Sequence, residues 1–262
     1  MTPIEMMTPT GADPRRSAST VSSSVLDGHN CVVTGASSGI GREIAVELAS
    51  AGATVCAVAR RRDELEVTAT LGRGGGRFEL FEADLVDDEQ VERLGETLLA
   101  RETGVHVLVH SAGTISRGDL EKAPVSDLDR QYATNVRAPY LLTQILLPAL
   151  CAIDGQIVFI NSTAGRIARA NTGQYAATQH ARRAIADSLR EEINPQGVRV
   201  VTVYPGRTAT PMQAKIHEIE GRSYAPERLM QPGDVASVVL NALTLPRSAE
   251  LTDISVRPML KH

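Results

Sequence analysis

Short runs of β-branched and apolar residues recur along this chain at intervals that leave room for one helix between each pair. The runs are CVVT (31–34), TVCAVA (54–59), RFELFEA (77–83), VHVLVH (105–110), QIVFIN (156–161), VRVVTV (198–203) and DISV (253–256). Segments 41–51, 61–71, 87–102, 127–150 and 174–194 lie between the first six, and 234–245 precedes the last; each repeats apolar residues at helical spacing. Nearly continuous apolar strands separated by helices demand a parallel sheet covered on both faces. The pattern therefore predicts an α/β fold: a doubly wound parallel sheet of about seven strands with helices on both faces, in a single domain.

The bulk properties agree with an ordinary globule. The chain has 262 residues, 42% of them hydrophobic and 22% charged, enough to bury one full core. A formal charge of -4 gives no electrostatic pull toward nucleic acid or an anionic membrane, so neither is expected as a partner. Cys31, Cys56 and Cys151 sit in apolar runs without CxxC or metal-ligand spacing, which reads as reduced thiols of a cytoplasmic protein that holds no metal. Residues 1–27 are rich in Ser, Thr and Pro and carry no period, so they are expected to form a disordered tail ahead of a folded domain at 28–262. The tail has no apolar h-region, and no stretch approaches the ~18 apolar residues of a membrane span.

Ligands of such sheets bind at the carboxyl ends of the strands, where strand order reverses. The first strand ends in TGASSGIGRE, Thr34 to Glu43. Gly35 permits a tight turn, Gly39 lets the backbone approach a pyrophosphate, and Gly41 allows helix to pack closely on strand. Ser37 and Ile40 belong to the same cradle, which ends at a helix N-terminus suited to an anion.

This TGxxxGxG form, with YAAT (175–178) on a later helix, resembles the short-chain dehydrogenase/reductase family, and the likeness runs from Leu26 to the C-terminus. The resemblance implies a Rossmann-type fold and assigns further residues in chain order. Asp84 and Leu85 would hold the adenine. HSAG (110–113), where the family usually has NNAG, would place Ala112 and Gly113 beside the cofactor. Pro205, Gly206 and Thr208, in YPGRTATPM, would meet the nicotinamide. The second strand ends AVARRR, with no acid before Asp63, so an arginine, best Arg60, is placed to take a 2′-phosphate and the cofactor is expected to be NADP(H). Arg42 is a second candidate for that phosphate.

The resemblance also implies a Ser–Tyr–Lys–Asn catalytic set. Ser162 precedes Tyr175 by the family's interval and would hold the substrate oxygen; Tyr175 would exchange a proton with it; Asn135 would bridge to the relay through water. Where the lysine would stand, the chain has Gln179. A glutamine can still bind the ribose hydroxyls but carries no charge to lower the tyrosine pKa, a lost effect of at most about 3 units. Alcohol oxidation needs phenolate and suffers most; carbonyl reduction needs the phenol. Three residues on, where the family is apolar, stands Arg182, which shares a helix face with 175 and 179 and can lean back to replace the charge.

Two readings follow. One is an NADP(H)-dependent oxidoreductase that reduces a ketone or aldehyde; the alternative is a non-redox NADP(H)-binding protein, a sensor, scaffold or cyclase/dehydratase-type enzyme. Substrate determinants are expected in a polar lid at 207–230 and in loops 114–120 and 165–173, with Arg117, Arg166 and Arg169 raising an anionic substrate. The resemblance further implies a homodimer or homotetramer built through the helices at 127–150 and 174–194.

Overall fold

The structure, a computed structural model, describes residues 24–259. Seven strands form one sheet: β1 (Asn30–Thr34), β2 (Thr54–Ala59), β3 (Arg77–Glu82), β4 (Val107–His110), β5 (Gln156–Ile160), β6 (Arg199–Pro205) and β7 (Asp253–Val256). Their order is β3-β2-β1-β4-β5-β6-β7, and every pairing is parallel. Order reverses between β1 and β4, and the crevice at their carboxyl ends is where such a sheet takes ligands.

The central strands are buried along their whole length because both faces are covered. Alternate residues divide between two cores. Cys31, Val33, Val55 and Ala57 pack under α1 (Gly39–Ser50), α2 (Arg62–Thr70) and α8 (Pro232–Leu243). Val32, Cys56, Val58 and Leu108 pack under α3 (Asp88–Leu99), α5 (Ala138–Cys151) and α6 (Gly173–Ile193). Local chemistry sets the helix starts. Asp87 caps α3 through the Gln90 N–H, and a capping box between Gln231 and Asp234, with Pro232 in the first turn, opens α8.

The structure differs from the sequence pattern in three places. The segment read as one helix over 127–150 is α4 (Val125–Tyr132), a π-helical turn at Ala133–Arg137, and then α5. The lid contains a helix, α7 (Pro211–Ile219), started by a Thr210 side chain that accepts from the Gln213 N–H. Of the tail, residues 1–23 lie outside the described residues. Leu26, which composition placed in it, is buried and donates its N–H to the Ala51 carbonyl at 2.9 Å.

The tightest point of the fold is the β1–α1 turn. Gly35 has φ 71°, and a Cβ there would lie 2.7 Å from the Ala112 Cα. A Cβ on Gly41 would fall on the Gly35 carbonyl. Backbone cannot yield as a side-chain tip can, so Gly41→Ala is expected to cost about 1–3 kcal/mol and lower the thermal midpoint by about 2–12 °C. A calorimetric scan showing an unchanged midpoint would refute the account of this turn.

Candidate active site

The β1–α1 turn forms a cradle. The N-cap of α1, Ser38, makes no side-chain cap bond, so the first N–H groups of the helix are not met by that side chain. Gly39, φ 54°, lies under Thr210, whose Cγ2 would be 3.0 Å from an added Cβ. Ser37 and Ile40 are partly exposed in the same loop. The cradle is tied to the next strand by Thr34, whose hydroxyl donates to the Val109 carbonyl (3.3 Å) and accepts from the Ser111 and Ala112 N–H groups (3.2 Å each). That hydroxyl holds HSAG in place. The His110 side chain instead turns into the core, with Nε2 2.8 Å from the Thr143 hydroxyl and the ring stacked on Phe159.

At the ends of β2 and β3 the basic residues sort themselves by partner. Arg42 is engaged with Glu64, the Ser37 carbonyl and the Thr68 hydroxyl, so its charge is already paired. Arg61 pairs with Glu64 and Arg62 with Glu66. Arg60 is exposed and makes no ion pair among the described residues. The Asp84 carboxylate accepts from the Val86 N–H at 3.1 Å, and Leu85 is buried beneath it.

On the other side of the crevice, α6 brings Tyr175, Gln179 and Arg182 onto one face. Ser162, just past the end of β5, caps the short turn at Thr163–Gly165 through the Ala164 N–H, and that turn packs against α6, which carries Tyr175. Burial raises the phenol above its ordinary value, against the opposing Ser162 hydrogen bond and Arg182 charge. Tyr175 is therefore protonated at neutral pH. Gln179 is 2% exposed, and its buried Oε1 has no hydrogen-bond partner. Arg182, also 2% exposed, donates to the His110 carbonyl, and its Cζ lies 5.8 Å from the Phe159 ring centroid. Burial lowers this guanidinium to about 10, which leaves it charged at neutral pH, whereas burial and then Arg182 hold His110 well below the usual imidazole range. His180, on the outer face, bonds the Ala176 carbonyl.

Asn135 lies in the π-helical turn, fully buried, and its side chain is committed on both ends. Oδ1 accepts from the Thr114 N–H at 2.9 Å, while Nδ2 donates to the Thr114 carbonyl at 2.9 Å and the Thr178 hydroxyl at 3.1 Å. It ties the loop after β4, including Gly113, to α6. Asn161 performs the matching task for β5, accepting from the Ser162 N–H at 2.7 Å and donating to the Gln179 carbonyl at 3.1 Å. Sequence reasoning passed over both Asn161 and Thr34. The signal was present, since each is a polar residue closing an apolar strand.

Beyond β6, the Gly206 N–H meets the Val256 carbonyl at 2.7 Å, and Thr208 is buried with its hydroxyl on the Gly206 carbonyl. Pro205 ends the strand. A cavity of about 180 Å³ opens between Gly113, Thr114 and Ile115 on one side and Met212, Lys215 and Ile216 of α7 on the other. Arg117, at its rim, pairs with Glu220, which also receives Arg207 and Arg222, so α7 is latched to loops on both sides. Arg166 pairs with Asp253 and stacks on Tyr204. Two of the three arginines that raised an anionic substrate are thus already neutralised. Among the described residues no group of three or more His, Cys, Asp or Glu is placed to hold a metal, and no helix is long and apolar enough to cross a membrane.

Comparison with known proteins matches this arrangement. A short chain dehydrogenase family model covers residues 29–221. NADPH-dependent 3-dehydrocapnine reductase of Ornithobacterium rhinotracheale is 34% identical over 191 residues, 70% of this chain and 67% of that protein. Glycine betaine reductase ATRR of Emericella nidulans is 31% identical over 250 residues, 93% of this chain, which spans only 20% of that longer protein. Among solved structures, a metagenomic short-chain oxidoreductase in complex with NADP superposes with a TM-score of 0.78 at 32% identity, covering 91% of this chain and 100% of the other. With the glycine cradle, the sheet order and the Ser162–Tyr175 pair in place, the chain belongs to the short-chain dehydrogenase family.

Proposed function

We propose that this protein is an NADP(H)-dependent reductase of ketones or aldehydes, with Tyr175 as the proton donor. The observation that carries this reading is that α6 sets Tyr175 against the turn capped by Ser162, one helical turn before the unpartnered Gln179 Oε1, with a phenol that burial keeps protonated. The residues fit the cofactor. An added Cβ would fill the cradle at Gly35 and Gly41, the first turn of α1 lacks a side-chain cap, and the buried Gln179 Oε1 has no partner and suits a ribose hydroxyl. Asp84 and Leu85 flank the adenine end, Ala112 and Gly113 the middle, and Pro205, Gly206 and Thr208 the nicotinamide end. Two relatives, one an NADPH-dependent reductase and one crystallised in complex with NADP, support the same cofactor.

NADPH, when bound, supplies the hydride for the carbonyl carbon. The chain's residues do the rest. Ser162 donates a hydrogen bond to the substrate oxygen and fixes it beside the phenol. Tyr175 passes its proton to that oxygen as the C–O double bond becomes single, and the phenolate left behind is reprotonated from solvent. α7, held by Glu220, covers the crevice and limits water. Asn135 and Asn161 hold the two sides of the site in register.

The protein is also proposed to be cytoplasmic and a homodimer or homotetramer. The thiols of Cys31 and Cys56 are buried and pushed up to about 12 and about 11, which suits a reducing compartment. Tyr132 of α4 and Tyr140 of α5 leave about half their surface exposed (49% and 53%), as a subunit contact would use. Sedimentation at monomer mass would overturn the assembly.

Tyr175→Phe is expected to reduce NADPH-dependent turnover of a responsive ketone or aldehyde by ~10²–10⁴-fold, with the cofactor dissociation constant little changed. Unchanged turnover would remove Tyr175 as the proton donor, and no consumption of NADPH across a broad carbonyl panel would return the protein to the non-redox reading.

Arg60 is the exposed cation at the end of β2 and is proposed to pair with the 2′-phosphate. NADPH should bind at least about tenfold more tightly than NADH, from a charge-assisted bond worth ~1.5–3 kcal/mol, and Arg60→Asp should erode that preference while sparing NADH. Equal affinities in the unmodified protein would sink the assignment.

A further inference from the structure

A buried guanidinium without a carboxylate is unusual in this molecule. Arg42, Arg101, Arg117 and Arg190 each have an acidic partner, and Arg199 spreads its bonds over the carbonyls of Leu243, Leu245, Pro246 and Ala249. Arg182 is more enclosed than any of these, yet among the described residues it has one carbonyl acceptor, an aromatic face and no acid. Its Nε–H is buried and unpartnered. Desolvating a charge is tolerated only where some other charge, present or developing, rewards it.

The ionisable groups around Arg182 narrow that charge to one. From β4 it faces His110, which is neutral and whose backbone, not its ring, receives the guanidinium. From β5 it faces Phe159, and from α5 the Thr143 hydroxyl stands behind His110. On α6 it faces Tyr175, two turns earlier on the same side, and the two are electrostatically coupled. Ser162 and Arg182 both favour the ionised form of the Tyr175 phenol, against its burial. Between Tyr175 and Arg182 along the helix stands Gln179, whose Oε1 is unpartnered, three residues from the unpartnered Nε–H of Arg182. One is an acceptor and the other a donor.

We propose that Arg182, seated on the His110 carbonyl behind Gln179, is the positioning residue that supplies the positive charge against which the Tyr175 phenolate forms, the charge that a lysine at 179 would otherwise carry. This rests on the reading of Tyr175 as proton donor. When Tyr175 gives its proton to the substrate oxygen, the negative charge left on the phenol oxygen is opposed by the guanidinium until solvent returns a proton. Nothing is oxidised or reduced in that step. Because the guanidinium is seated on the His110 carbonyl, neutral Gln179 stays free to hold a ribose hydroxyl.

The test compares Arg182→Met, Gln179→Lys and the double variant, each first shown by thermal melting and NADPH titration to be folded. The Tyr175 phenol is titrated directly by ¹³C NMR of ring-labelled tyrosine, its signal identified among the five tyrosines by loss in Tyr175→Phe. Arg182→Met should move the Tyr175 midpoint up by at least one unit or beyond the accessible range. It should also depress kcat for alcohol oxidation near neutral pH more than tenfold and kcat for carbonyl reduction less, with KM for NADPH nearly constant. The double variant should bring the midpoint back, since its lysine restores a cation. If Arg182→Met does not fold, Gln179→Lys alone decides: a downward shift under about half a unit shows that the cation was already present, whereas a shift of more than one unit shows that it was not. An unmoved Tyr175 midpoint in a folded Arg182→Met would overturn the proposal. Because the NMR titration needs no turnover, that failure is distinct from the failure of the reading of Tyr175 as proton donor, which would appear as full activity in Tyr175→Phe.

Discussion

The Thr34 hydroxyl, at the seam between β1 and β4, holds together everything the site needs. Strands on one side of this seam continue to β2 and β3, those on the other to β5, β6 and β7, and the crossovers leave in opposite directions. A crevice must open there, and the backbone at its floor would lack partners. Thr34 meets that demand by giving its proton to Val109 and receiving two N–H groups from Ser111 and Ala112. Gly35 can then turn directly under Ala112, and Gly41 can sit against the Gly35 carbonyl. Cradle and catalytic wall are consequently set by the same few contacts, so a shift in one displaces the other.

Two asparagines repeat this logic further along the sheet. Asn161 fastens Ser162 to α6, and Asn135 fastens the Thr114 backbone to α4 and α6 through the π-helical turn. A π-helical turn carries one residue more than an α-helical turn, which rotates the following segment and aims a side chain that a straight helix would leave elsewhere. Such turns carry no strong local sequence signal. That is why residues 127–150 read as a single helix, and why Asn135 was legible as a site residue while its actual bonds were not.

The strands were readable because burial on both faces removes polar residues from them, and a run such as TVCAVA has no other comfortable place in a small protein. The order of motifs was readable because the glycines and Ser162 follow strand ends and Tyr175 opens a helix, each at a fixed place in the fold. The helix α7 was not, since its buried positions include Gln213 and His217, polar residues that satisfy each other across one turn. Leu26 escaped for the opposite reason: with Val25 it makes an apolar pair too short to show a period, in a polar stretch, and its N–H reaches the Ala51 carbonyl. The destination of Arg182 was only half legible. Helix geometry put it on the face of Tyr175, but nothing in the sequence showed that its guanidinium would end on the His110 carbonyl instead of in solvent.

The exchange at position 110 belongs to the same rearrangement as the pair at 179 and 182. An asparagine there would offer a flexible amide near the guanidinium; the histidine instead stacks flat on Phe159 and fastens to Thr143, which leaves its carbonyl as the acceptor for Arg182. Burial keeps the ring uncharged, so no second cation competes with the first. A protonated imidazole in that place would repel Arg182 and push it away from the carbonyl. The neutral histidine, the long arginine and the uncharged glutamine therefore form one consistent set, in which, on the proposal above, a single positive charge serves the Tyr175 phenol.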